Sequence, residues 1–371
     1  MTLQSSGTIQ FSEIEDEFGQ IAGTNARKIG GYRISESIGG LTNLPIDTGV
    51  PQPGAPISFS DFYSKRCNIL VNFYTSDENR ANARSKYDSG DVQVVGPGAK
   101  SPPVAGSGVK VRIHVNKNIG SQAVNDAYNL SGGYSNPTNG PKYCALRTGT
   151  WDTETDDEGC ELQVDVGPNG LICGAGGAGG QGGYRHSSAG SAHNGKGQQG
   201  EYGNSGLGIE HDVDVSVLSG GFISAGYGGG GGAGGFEYKS QTGEDHEVRG
   251  YGGGGGGGAG IPAGEGRGNY SSSGASFIGQ DGSMPAGGEQ GGAGGTGAVE
   301  SDGRGSGTAG GGGRGGDQEG VATAGGISSN DTAGPGTGGA RGAAIRRTSG
   351  LTVNVTNAGT IVGATDATGV L

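Results

Sequence analysis

The sequence predicts a mainly β protein: a short N-terminal helical and turn segment, an antiparallel β-sandwich, then a glycine-rich bundle of polyglycine II-type helices. Three observations predict it. Segments of apolar–polar alternation gather between residues 66 and 168. Glycine supplies 90 of 371 residues, about a quarter against a usual ~7%, and most of it follows residue 168. A strand–turn–glycine unit recurs at 162–180, 213–235 and 351–364.

The elements follow in chain order. In TIQFSEIEDEFG, Ser12 and Glu15 stand in capping-box spacing, and Ile14 and Phe18 lie one turn apart. Gly19 then supplies a left-handed stop. So short a helix is not stable alone, so Ile14 and Phe18 must dock on something. Residues 20–57 are rich in turn signals, and PISFSDFYSK (56–65) reads as a second short turn capped by Ser58 and Asp61. These make an N-terminal anchoring segment, 1–65.

Strands follow. CNILVNFYT puts Cys67, Ile69, Val71 and Phe73 on one face, and DVQVV (91–95) is another strand. VKVRIHV alternates most clearly, with Val109, Val111, Ile113 and Val115 inside and Lys110, Arg112 and His114 outside. YCALRT (143–148) and ELQVDV (161–166) complete a β domain over 66–168. Short strands separated by Gly, Pro, Asn and Ser suggest antiparallel pairing.

Residues 169–350 hold too few apolar side chains for an oily core, so their order must come from backbone hydrogen bonds. A flexible linker is the competing reading. It does not account for alternating strands at both ends, nor for Tyr184, Phe236, Tyr238, Tyr251, Tyr270 and Phe277 in the polar inserts. Collagen fails because glycine does not recur strictly every third residue. Extended three-per-turn helices bonded side to side remain. Residues 351–371 form a C-terminal strand that packs back on this lattice.

The formal net charge is −12 with no Lys- or Arg-rich stretch, which argues against nucleic acid as a partner. No run of 18 apolar residues could insert in a membrane. Met1 to Gln10 lacks the basic and apolar regions of a signal peptide, so synthesis in a reducing cytosol is expected. Cys67, Cys144, Cys160 and Cys173 then read as free thiols packed as small hydrophobes, with a Cys144–Cys160 bridge the minor alternative.

Chemical motifs are weak. GAGGAG (174–179) fits GxGxxG, but glycines follow it where a dinucleotide site needs a helix. GPGAKS (96–101) lacks the Gly-Lys-[Ser/Thr] order of a phosphate loop. DTETDDEG (152–159) alternates carboxylates as a calcium loop does, but Asp157 stands where glycine is needed. It reads as a solvated acidic turn, with a weak divalent site the alternative. The five histidines show no zinc spacing. Glu244, Asp245 and Glu247 cluster in one insert, so carboxylate-pair glycoside cleavage stays open. No catalytic residue, metal or cofactor is assigned, and the chain is expected not to be an enzyme. The inserts carry the best functional signal. Tyr184, Arg185, Tyr202, Phe236, Tyr238, Arg249, Tyr251 and Tyr270 set rigid aromatics and arginines among small polar residues, the makings of a recognition loop. Ordinary surface loops are the alternative.

The opening LQSSGTIQFSEIEDEFG, followed by PISFSDFY, resembles the N-terminal signature of structural proteins of tailed bacteriophages. KIGGYRISESIGGLTNLPIDTGVPQPGAPISFSDFYSKRCNILVNFY, with VNKNIGS and CALRTGTWD, is similar to virion proteins of marine myoviruses of the cyanophage type. The glycine-rich part resembles the adhesin tips of T-even-like long tail fibres. The resemblance implies a virion tail component, a baseplate or tail-fibre adhesin, anchored by its N-terminal part. Its partners would be other tail proteins and a host receptor, either polysaccharide or outer-membrane protein, and a trimer is left open. A purely architectural baseplate or fibre piece is the main alternative. An ice-binding protein and a capsule hydrolase are the others.

Overall fold

In the computed structural model the described residues are 3–18, 29, 56–64, 69–73, 77–89, 93–94, 110–122, 142–151, 161–183, 196–239, 247–268, 279–282, 291–295, 298–301, 310–316, 322–326 and 334–371. Helix α1 (Phe11–Phe18) starts earlier than a Ser12 cap would place it. The Glu13 carboxylate accepts from the Gln10 backbone N–H at 2.6 Å, and Ile14 is fully buried. Gly19 lies outside the described residues. At the 3-10 turn Phe59–Phe62, Asp61 accepts from the Ser58 N–H at 2.7 Å, and Phe62 is buried.

The strands form no antiparallel sandwich. Strands β1 (Ile69–Phe73), β2 (Glu78–Asn79) and β3 (Ala81–Asn82) turn round three sides of one coil. Helix α2 (Ala83–Asp88) and strand β4 (Gln93–Val94) follow. The next coil is β5 (Lys110–Val115), β6 (Asn118–Gly120) and β7 (Cys144–Arg147). The third is β8 (Glu161–Val166), β9 (Leu171–Cys173) and β10 (Ser205–Ile209). The fourth begins with β11 (Val213–Val217) and β12 (Phe222–Ser224). A long excursion holding β13 (Phe236–Lys239), β14 (Glu247–Tyr251) and β15 (Ala298–Ser301) precedes its third side, β16 (Ile345–Arg347). Strands β17 (Val353–Asn357), β18 (Thr360–Val362) and β19 (Ala367–Thr368) make the last coil.

First sides pair with first sides, in parallel, in the order β1-β5-β8-β11-β17. Second sides run β2-β6-β9-β12-β18 and third sides β3-β7-β10-β16-β19. This is a three-sided parallel β-solenoid. Antiparallel pairing in its walls is confined, among the described residues, to β4 on the outer edge of β1. The sandwich expectation fails for a physical reason. Alternation reports that a segment is a strand and which face is buried, not which way its neighbour runs. Parallel neighbours need a connection of a dozen residues or more. Here the other two sides of each coil supply it, through strands of two to five residues, most of them too short to alternate visibly.

Register stacks like on like. Val71, Ile113, Val164 and Val215 make one inward column, and Ile119, Ile172 and Ile223 another. All of these are at most 1% exposed. Full burial of each such side chain contributes roughly 1.5–3 kcal/mol. The columns continue to Val355 and Ile361 in the last coil, where Val355 is 39% exposed and no further coil covers it among the described residues. On the opposite face of the first wall, Asn72, His114 and Asp165 lie in one row. His114 takes the outward register that alternation gives it, yet it is fully buried. Burial, with the Arg112 charge adding, lowers its pKa to about 4. Asp165 pairs with Arg112, but burial outweighs that attraction and raises its pKa. Cys144 and Cys173 are free and buried, and burial pushes the Cys144 thiol up to about 12. Cys67 and Cys160 lie outside the described residues.

Candidate functional site

The glycine-rich segments leave the solenoid at one corner. Strand β9 continues into residues 174–183, and 196–204 leads back into β10. Strand β12 continues into 225–235, and 334–344 leads back into β16. The runs bond laterally with a period of three residues. The N–H groups of Gly174, Gly177, Gly180 and Gly183 donate to the carbonyls of Ser224, Tyr227, Gly230 and Ala233 at 2.7–3.1 Å. Gly176, Gly179 and Gly182 donate to a different run, at Pro262, Glu265 and Gly268. The carbonyls of Ala175, Ala178 and Gln181 accept from a third, at Asn204, Glu201 and Gln198. Each run thus bonds on three sides, as a three-per-turn extended chain can.

Side chains are excluded wherever a neighbouring run approaches. A Cβ on Gly255 would fall on the Gly230 backbone, one on Gly256 on Gly292, and one on Gly257 on Gly264. The run 252–258 is walled on all sides and is glycine throughout. In the run 196–204 a Cβ would strike a neighbouring backbone at Gly197, Gly200 and Gly203, and Gln198, Gln199, Glu201 and Tyr202 carry side chains between them. Glycine content therefore follows how enclosed a run is.

Hydrogen-bond register also fixes direction. Runs 174–183, 225–235, 264–268, 291–295 and 322–326 lead away from the solenoid; 196–204, 252–260, 279–282, 310–316 and 334–344 lead back. The described ends flanking 184–195, 236–251, 269–278, 296–309 and 327–333 therefore all lie at the far end. Those flanking 261–263, 283–290 and 317–321 lie at the near end. At the far end β13, β14 and β15 form an antiparallel sheet, with Tyr238 opposite Val248, and Arg249 between Glu237 and Glu300.

This arrangement sorts the sequence-predicted residues. Phe236, Tyr238, Arg249 and Tyr251 come together on the far-end sheet. Tyr251 is 7% exposed, a position inside the end rather than on it. Tyr202 sits apart, half-buried in a returning run next to Glu201, whose N–H bonds Ala178. Tyr184, Arg185 and Tyr270 lie outside the described residues, as does the acidic turn at 152–159. Sequence reasoning passed over two features of the lattice itself. Buried Glu201 has its carboxylate 3.7 Å from Arg267. Arg341 lies over the Tyr227 ring, 5.4 Å from its centroid. Neither has a sequence signal, since the partners sit in different runs. The glycine spacing 197–200–203 was a readable sign of an edge run.

No protein family and no curated protein matches the chain. Among solved structures, it is similar to the crystal structure of the gp37-gp38 adhesin tip complex of the bacteriophage S16 long tail fiber. The match covers 85% of this chain and 89% of that one, at a TM-score of 0.35 and 17% identity.

Proposed function

We propose that this chain is a tail-fibre adhesin of a tailed bacteriophage that presents the far-end inserts of its glycine lattice to a receptor on the host surface. The observation that carries this is the strict out-and-back order of the runs. It gathers the described ends of five inserts, and with them four of the eight aromatic and arginine candidates, Phe236, Tyr238, Arg249 and Tyr251, at one pole of a backbone-bonded scaffold. Binding residues on loops held by a rigid scaffold are the usual arrangement of a recognition surface, and aromatic and Arg anchors dominate such interfaces. The resemblance of the first 180 residues to phage virion proteins supports the same reading. Other tail proteins are its partners, and we place the attachment on the solenoid rather than the lattice. Among the described residues the last coil offers three unpaired strand edges around an exposed apolar column, an arrangement suited to strand addition.

Exchange of 184–195, 236–251 and 269–278 for the corresponding segments of a related phage with another host is the test. Adsorption is expected to follow the transplanted inserts. Adsorption that stays with the original host while the chimera folds would leave only the architectural role.

A further inference from the structure

At the foot of the lattice, opposite the far-end inserts, a cleft of about 790 Å³ opens between the first two coils and the near-end turn Ile261–Pro262. We propose that it binds a saccharide unit carrying one anionic group. The size lies within the usual range for small-molecule sites. Arg80, on its wall, has φ +51°, a left-handed backbone. Such a conformation is uncommon for a residue with a side chain and clusters at ligand sites. The Arg80 N–H is tied to the Gly120 carbonyl at 2.9 Å. Its guanidinium is steadied by the Gln122 Oε1 at 2.9 Å and by the Tyr143 ring. It faces no carboxylate among the described residues.

The second guanidinium on the wall, Arg147, is already neutralised by Glu210, through Nε at 3.0 Å and a second, short bond. Among the described residues the cleft thus offers one uncompensated positive charge, and no Asp or Glu side chain lines it. Around that charge stand the amides of Asn79, Asn82 and Gln122; the Asn82 and Gln122 oxygens accept from the Ser85 N–H and Arg80, which leaves their NH2 groups to donate to sugar hydroxyls. Ile261 and Pro262 supply an apolar surface for the C–H face of a ring. A guanidinium suits either a carboxylate or a phosphate, so both kinds of acidic sugar fit this chemistry. The site goes beyond receptor binding by the inserts and stands or falls without it.

The test is calorimetric titration of the full chain at low ionic strength with D-glucuronate, D-glucose 6-phosphate, D-glucose and inorganic phosphate. At least one of the two acidic sugars is expected to bind saturably, more weakly as salt is added, and at least tenfold more tightly than glucose or inorganic phosphate. Arg80→Gly and Arg80→Asn suit the left-handed backbone, so their melting temperature should hold while binding falls at least tenfold. No saturable binding of either acidic sugar would overturn the proposal. So would inorganic phosphate binding equally well, or wild-type binding by folded Arg80→Gly.

Discussion

His114 shows how far one residue could be placed from the sequence. Alternation in VKVRIHV gives its face, and the structure keeps that face, but period two says nothing of what covers it. In the fold it is fully buried. Its Nδ1 lies 3.2 Å from the Asn72 Oδ1, so the ring donates there, and Nε2 has no hydrogen-bond partner. A neutral ring tolerates this; a charged one does not. The folded pKa of about 4 lies below the ordinary 6.5. The unfolded chain therefore binds more protons between these values, and stability falls as pH drops from 6.5 to 4, by about 3 kcal/mol in all. Asp165 works the other way. Its pKa is raised, so its protonation on acidification favours the folded chain and offsets part of the loss at the acid end. Urea unfolding from pH 7 to 4 should show the decline in the wild type and a flatter profile in His114→Asn. Parallel profiles would mean that the imidazole is not the group being titrated.

At the scale of elements, composition made the glycine segments legible and hid their order. Glycine is required only where another backbone approaches. The outer run 196–204 therefore keeps a visible three-residue spacing, and the enclosed run 252–258 shows no period at all. Strand direction was not legible, because the connections that make β5 and β8 parallel pass through strands as short as Asn118–Gly120. The lattice gives a sharp contrast between similar-looking positions. At Gly255 a Cβ would meet the backbones of Gly230 and Gly180, which are themselves bonded into neighbouring runs and cannot withdraw independently. Overpacking of this kind typically costs ~1–3 kcal/mol. Gln199 is half-buried on an outer run and already carries a side chain. Gly255→Ala should lower the melting temperature by several degrees, and Gln199→Ala should leave it within about 0.5 kcal/mol of wild type. Equal melting of the two variants would contradict the close approach of runs at Gly255.

The whole molecule is asymmetric along the solenoid. At its first coil β4 covers the edge of β1, whereas at its last coil β17 presents an edge that no strand covers among the described residues. The same inward column that is fully buried at Val71 is 39% exposed at Val355. Stacked-repeat folds need a polar cap at each end to stay soluble, and an unpaired strand edge is a template for another chain. An end that is both apolar and unpaired suits a partner that covers it. If that partner is the remainder of the tail fibre, a charge placed there should block assembly without unfolding the protein. Val355→Lys suits the purpose, because a lysine at this exposed position can lift its ammonium into solvent and the coils beneath it keep their own packing. The variant should melt within a few degrees of wild type and self-associate less in sedimentation at high concentration. It should also be missing from purified virions while the isolated protein still binds host cells. Incorporation of folded Val355→Lys at the wild-type level would move the attachment away from the open coil. Residues 1–65, the anchor that the sequence alone suggests, would then be the segment to truncate next.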